Sequence, residues 1–273
     1  MSPTGPSAFD QAREAAAHLA EQTGQAAYVA LVVLGSGWGP AVESWGEPVL
    51  RLRASDVPHF RAPVAEGHRG ELLVFDLGGR AVLVQSGRTH LYEGHGPRPV
   101  VHGVRTAAAL GVRLVLLTNA NGSLRPDWEI GQPVLISDHL NLTATSPVEG
   151  ATFVDLTDAW SPRLRSIARR LDAGLTEGVY AQLVGPHYNT AAEAEWMRRV
   201  GGDMVGMSTV PEAIAARECS MEVVGFSTVT AIEGGGDVTD PREVVRAAES
   251  TAARLGPLLA ALLTEGITEG ARG

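Results

Sequence analysis

Short apolar runs alternate with amphipathic stretches along most of this chain. Tyr28 to Leu34 is a continuous apolar run ending in Gly-Ser-Gly, the pattern of a buried strand opening into a loop. Two apolar runs between Glu71 and Gln85 flank Gly78-Gly79, which predicts a hairpin. Further strands are predicted at Leu114 to Leu117, Val134 to Ile136, Val179 to Val184, Met204 to Met207 and Val223 to Val229. Helical spacing predicts helices at Ala8 to Glu21, Pro97 to Leu110, Pro162 to Leu171, Ala191 to Val200, Pro211 to Cys219 and Pro241 to Glu265. Buried strands alternating with helices imply an α/β fold with a mixed, twisted sheet flanked by helices. No repeat, charge run or Ser/Gly linker divides the 273 residues, so one domain is expected over 1–273.

Charge narrows the function classes. The chain carries 22 basic and 31 acidic residues, net -9, and every base is arginine. No basic stripe exists for a nucleic-acid backbone. The absence of lysine excludes both a Walker-type phosphate loop and a Schiff-base lysine. The lone Cys219, in a helical stretch, forms no internal disulfide and reads as a small packed residue. With no secretory signal pattern at the first residues and no apolar run near 20 residues, a cytoplasmic protein is expected, without membrane attachment.

Candidate chemistry gathers at predicted strand ends. Gly35-Ser36-Gly37-Trp38-Gly39 lacks the spacing of a dinucleotide fingerprint; as an alternative to a plain turn it suits a small anion held by backbone N–H groups and Ser36. Ser86 to Gly94 is the richest stretch, with Arg88, His90, Tyr92 and Glu93. Continued strand geometry would put Arg88, His90 and Tyr92 on one face and Glu93 on the other. The arginine fork suits phosphate. His90, His95 and His102 lack helix-type ligand spacing and an obvious carboxylate partner, so no metal is expected. Thr118 to Ser123 reads as a small-polar loop after a strand. Tyr188 after Val184 is able to stack on a flat ring, and Ser208 before Pro211 stands where a helix N-terminus favours an anion. Neither Ser36 nor Ser208 lies in a Gly-x-Ser-x-Gly elbow, against a serine hydrolase. The residues by themselves read as a small-molecule site with a phosphate pocket.

Gly87 to Gly94 and Gly206 to Glu212, with Val134 to Leu142 and Asp155 to Ala159 in support, resemble the trimeric purine nucleoside phosphorylases, from about Leu31 to Leu263. The resemblance implies phosphorolysis of purine nucleosides to free base and pentose 1-phosphate, in a homotrimer, with inorganic phosphate as co-substrate and no cofactor. It assigns phosphate to Ser36, Arg88, His90, the Ala120 N–H and Ser208, with His68 nearby. It assigns the sugar to Tyr92 and Met207, and the base to Tyr188, Asn189, Thr230 and Ala231. His90 and Asn189 stand at the catalytic positions, and Phe153 would reach a neighbouring subunit's site.

The base-reading positions depart from the family. Its glutamate falls at Asn189, its asparagine at Ala231, and the histidine for the sugar 5′-hydroxyl near Pro241. Base preference is therefore expected to differ, since charge-assisted hydrogen bonds are worth about 1.5–3 kcal/mol each. Two alternatives stay open: a phosphorylase for a 5′-modified or 6-amino nucleoside such as methylthioadenosine, with Glu233 approaching the amino group, or a catalytically weak nucleoside-binding relative.

Overall fold

In a computed structural model, residues 6–25, 27–64, 68–234 and 240–270 are described, without the Pro241 side chain. Helix α1 (Ala8–Thr23) opens on a reciprocal Ser7–Asp10 capping box and ends on Gly24 in the left-handed conformation. Strand β1 (Ala30–Leu34) is buried on both faces. A 3-10 turn, Gly39–Trp45, leads to β2 (Leu50–Arg53). The expected hairpin is β3 (Glu71–Asp76) and β4 (Ala81–Ser86), paired antiparallel.

Next come α2 (Pro97–Val100) and α3 (His102–Ala109), then the long strands β5 (Leu114–Ser123) and β6 (Pro133–Asn141). Helix α4 (Pro162–Leu171) starts on a Ser161 cap with Pro162 in its first turn. Then follow β7 (Thr176–Gln182), α5 (Ala191–Arg199), β8 (Met204–Gly206) and α6 (Val210–Glu218). Strand β9 (Glu222–Ile232) and helix α7 (Pro241–Gly270) complete the order.

The sheet is mixed, in the order β2-β3-β4-β1-β5-β8-β7-β6-β9, and β9 also pairs with β5. That extra pairing closes five strands into a ring. Strand β1 shows how the faces divide. Leu31 and Val33 join a core with Leu19 of α1, Val104 of α3 and Ile214 of α6. Val32 and Leu34 join the opposite core with Ile167 of α4 and Leu255 and Leu259 of α7. The two-residue period of a strand sends alternate side chains to the two helical layers.

Three expectations need correction, and one strand went unpredicted. The helix expected at Pro97 to Leu110 is broken at Val101 (φ -99°, ψ 5°) into α2 and α3. Thr118 to Ser123 is strand and not loop, because β9 runs beside it with a register shift at Asn121/Gly122. Strand β2, with alternating burial and two exposed arginines, was too short to stand out. The final helix continues past Glu265 to Gly270, through Pro257.

Candidate active site

The site lies where β1, β4, β5, β8 and β9 end or bulge. One cavity there is lined by Ser36, Arg88, His90, Tyr92, Ala120, Ser208, Met207, Tyr188, Asn189, Thr230 and Ala231, and also by Glu233. Eleven of the thirteen residues singled out for substrate thus converge on one space. His68 and Phe153 do not line it. His68 stands behind Ser36, whose hydroxyl is 3.0 Å from His68 Nε2. Phe153 is 98% exposed on the outside of the chain.

Arg88 organises one end. Strand β4 stops at Ser86, and Gly87 turns the chain at φ +101°. A Cβ at Gly87 would lie 2.8 Å from the His68 Cβ, so only glycine allows this turn against His68. Arg88 is 1% exposed. Its Nη1 donates to the Thr118 carbonyl (2.7 Å) and to Ser208 Oγ (3.3 Å), while Nε donates to Glu212 Oε1 (3.1 Å). Full burial pushes the Glu212 carboxyl up from its ordinary range, and the Arg88 charge opposes that shift. In the sequence Glu212 is marked only by its place four residues after Ser208, at the start of α6.

Ser208 precedes Thr209, which holds φ +88°, rare for a β-branched residue. Its neighbours hold the turn: Asn119 Nδ2 donates to Thr209 Oγ1 (2.8 Å), and the Val210 N–H donates to Gln182 Oε1 (2.7 Å). Ser227 donates to Asn119, and Asn121 Nδ2 donates to Ser227 Oγ (2.6 Å). A buried polar chain thus runs beneath the cavity from Asn121 to Ser208. It explains why β5 carries asparagines at buried positions.

The expected strand face of Arg88, His90 and Tyr92 does not form, because the chain leaves the sheet after Ser86. Instead the His90 and Tyr92 rings stack at 4.6 Å with 10° between planes. Glu93 turns back, and its Oε1 accepts from the His90 N–H at 2.8 Å. Burial, then the charge of Arg88, brings His68 down to about 3. Burial, then His68 and Arg88, holds His90 well below its ordinary value. Both imidazoles are therefore neutral at pH 7 and act through hydrogen bonding. Burial, then Glu93, pushes Tyr92 up to about 12, so its phenol stays protonated.

At the other end, Tyr188 is 48% exposed beside Asn189. Thr230 Oγ1 donates to the Asn121 carbonyl (3.0 Å), and Ala231 offers only a methyl group. Asn189 Nδ2 makes a long hydrogen bond, 3.5 Å, to Glu233 Oε2. The loop 235–239 lies outside the described residues, and with it the ground on which the 5′-hydroxyl position near Pro241 would be judged.

A model of the Phosphorylase superfamily matches residues 15–264. The purine nucleoside phosphorylase of Mycobacterium tuberculosis is 52% identical over 262 residues, 95% of this chain and 98% of that protein. The one from Cellulomonas sp is 51% identical, covering 92% of both chains, and the one from Bos taurus 37%, over 81% and 82%. Two solved structures of purine nucleoside phosphorylase from Schistosoma mansoni are similar. One, in complex with adenosine, has a TM-score of 0.83 at 27% identity, covering 92% and 95% of the two chains. Isoform 2, with cytosine and ribose-1-phosphate, has 0.85 at 28%, covering 94% and 96%. The chain belongs to the phosphorylase superfamily, and within it to the purine nucleoside phosphorylases. Its activity is the reversible phosphorolysis of purine nucleosides to free base and pentose 1-phosphate.

Proposed function

We propose that this one cavity carries out the reaction with phosphate at the Arg88 end and the base at the Tyr188 end. Phosphate is held by Ser36, Arg88, His90, the Ala120 N–H and Ser208, with His68 fixing Ser36. The sugar lies over Tyr92 and Met207. Tyr188 stacks on the base, whose edge meets Asn189, Thr230 and Ala231. The observation that carries this reading is the single cavity joining the buried Arg88–Ser208 cluster to Tyr188 and Asn189.

The chemistry follows from charge. As the glycosidic bond lengthens, positive charge grows on the sugar and negative charge on the base. A phosphate oxygen beneath the sugar stabilises the first and is also the nucleophile, so the protein's work is to hold it in line. Neutral His90 contributes a hydrogen bond without competing for the phosphate's charge. His90 and Asn189, at the two ends, are the catalytic contacts to phosphate and base. No cofactor enters this scheme, and inorganic phosphate is the co-substrate.

Arg88→Lys tests the assignment. It keeps a cation beside Glu212 and removes the planar fork. The phosphate KM is expected to rise by about 10- to 100-fold, the loss of one or two charge-assisted bonds. An unchanged phosphate KM in the folded variant overturns it.

Phe153, exposed on the isolated chain, serves the neighbouring active site of a homotrimer. Sedimentation of a species of three chains is expected, and a monomer with full activity contradicts it. The enzyme works in the cytoplasm. Cys219 suits that setting, since burial, then Glu218, pushes its thiol up to about 11, away from reactivity. Among the described residues no helix is long and apolar enough to cross a membrane.

A further inference from the structure

The base end of the cavity contains one carboxylate among its described lining residues, Glu233, and the reaction proposed for the cavity gives it no role. Its placement is built by two neighbours. Gly122, at the bulge in β5, has no side chain, and Glu233 fills the space: a Cβ there would lie 2.0 Å from Glu233 Oε1. On the other side Asn189 Nδ2 approaches Oε2 at 3.5 Å. The Glu233 N–H donates to the Ser123 carbonyl at 2.8 Å, which ties the residue to the end of β5. The carboxyl is thus slotted beside the base positions and is not left to sweep through solvent.

We propose that Glu233 is the acid that protonates the departing purine, held for that task by Gly122 and Asn189. This rests on the reading that the base occupies the Tyr188–Asn189 end. A phosphate oxygen forms the bond to C1′, and the C1′–N9 bond breaks with its electron pair going to the purine. The proton passes from the Glu233 carboxyl to N7 of that ring, leaving a carboxylate that takes a proton from water before the next turnover.

The surroundings favour the protonated form. Burial raises the carboxyl above its ordinary range, and the Asn189 hydrogen bond only partly opposes this. The groups facing it are the Asn189 amide and Tyr188 from the segment before α5, and Gly122 and Ser123 from β5. Asp240, before α7, acts on Tyr188 from the same side. Among the described residues no cation contributes to the Glu233 environment.

The test compares two substrates of Glu233→Gln: guanosine, whose base needs a proton to leave, and 7-methylguanosine, whose base already carries positive charge and leaves without one. The kcat on guanosine is expected to fall by about 10²- to 10⁴-fold, with less than about a tenfold change on 7-methylguanosine. With the unaltered enzyme, kcat on guanosine should decline as pH rises through the Glu233 titration; with 7-methylguanosine that decline should be absent. Gly122→Ala, which pushes the carboxylate out of its slot, should reproduce the same selective loss without touching Glu233. Equal losses on the two nucleosides, or no loss on guanosine, overturn the proposal. Tyr188→Ala separates its failure from that of the reading beneath it. If the nucleoside KM is unchanged in Tyr188→Ala, the base is not at this end and both ideas fall. If it rises while Glu233→Gln is silent, only the role of Glu233 falls.

Discussion

Arg88 and Glu212 each have 1% of their side chains exposed and lie 3.1 Å apart, so neither tolerates the loss of the other. Removing one member of such a pair leaves a charge buried without compensation. Glu212→Ala is therefore expected to destabilise the fold by about 3–5 kcal/mol, measured by urea unfolding. Glu212→Gln, which keeps an acceptor for Arg88 Nε, should cost less and weaken phosphate binding more than nucleoside binding. A Glu212→Ala variant as stable as the parent would show that Arg88 finds another partner. At this scale the sequence is legible where the chemistry is local. Arg88, His90, Ser208 and Tyr188 carry functional groups that stand out beside strand ends. Glu212 did not stand out, because its partner is 124 positions away.

The elements carry the site because their ends are built firmly. Helix α5 begins at Ala191, two residues after Asn189, on a Thr190–Glu193 capping box. Thr190→Ala removes an acceptor for the Glu193 N–H and should cost about 1 kcal/mol in a thermal or denaturant melt. The same change loosens the segment holding Tyr188 and Asn189, so the nucleoside KM should rise while the phosphate KM stays put. Equal effects on both constants would contradict that link. Helix boundaries were legible wherever a cap or proline marks them, as at Ser7, Ser161–Pro162 and Thr190. The break at Val101 and the extension of β5 were not legible. Neither has a local signal: β5 is prolonged by pairing with β9, and its polar residues are satisfied by Ser227 and Thr209 from other strands and turns.

Over the whole molecule, the second pairing of β9 draws the distal strands into a ring and gathers five strand ends around one cavity. Burial at this scale also sets how stability varies with pH. His102, 4% exposed, packs edge-on against Phe60 at 4.6 Å, and its Nε2 lies 3.1 Å from the Pro58 carbonyl. Burial is the main cause that brings it down from 6.5 to about 4. The unfolded chain takes up this proton first, so the stability is fully present above about pH 6.5 and is lost as pH falls toward 4. The contribution is at most about 3 kcal/mol. Urea unfolding at pH 7 and pH 4.5 should show this loss, and His102→Gln should flatten it. One cooperative transition is expected for the chain, since the sheet is continuous from β2 to β9.

The sequence by itself determined the alternation of strands and helices, the helix starts, and the residue types that suit phosphate and a flat base. Those properties depend on neighbours within a few positions: apolar period, caps, and functional groups placed after apolar runs. Only the tertiary structure decided that Glu212 braces Arg88, that Glu93 turns back onto His90, and that Glu233 enters the Tyr188–Asn189 end of the cavity over Gly122. Each of these is a contact made by folding the sheet and its turns, and a buried charge or a missing Cβ has meaning only once its neighbour in space is known.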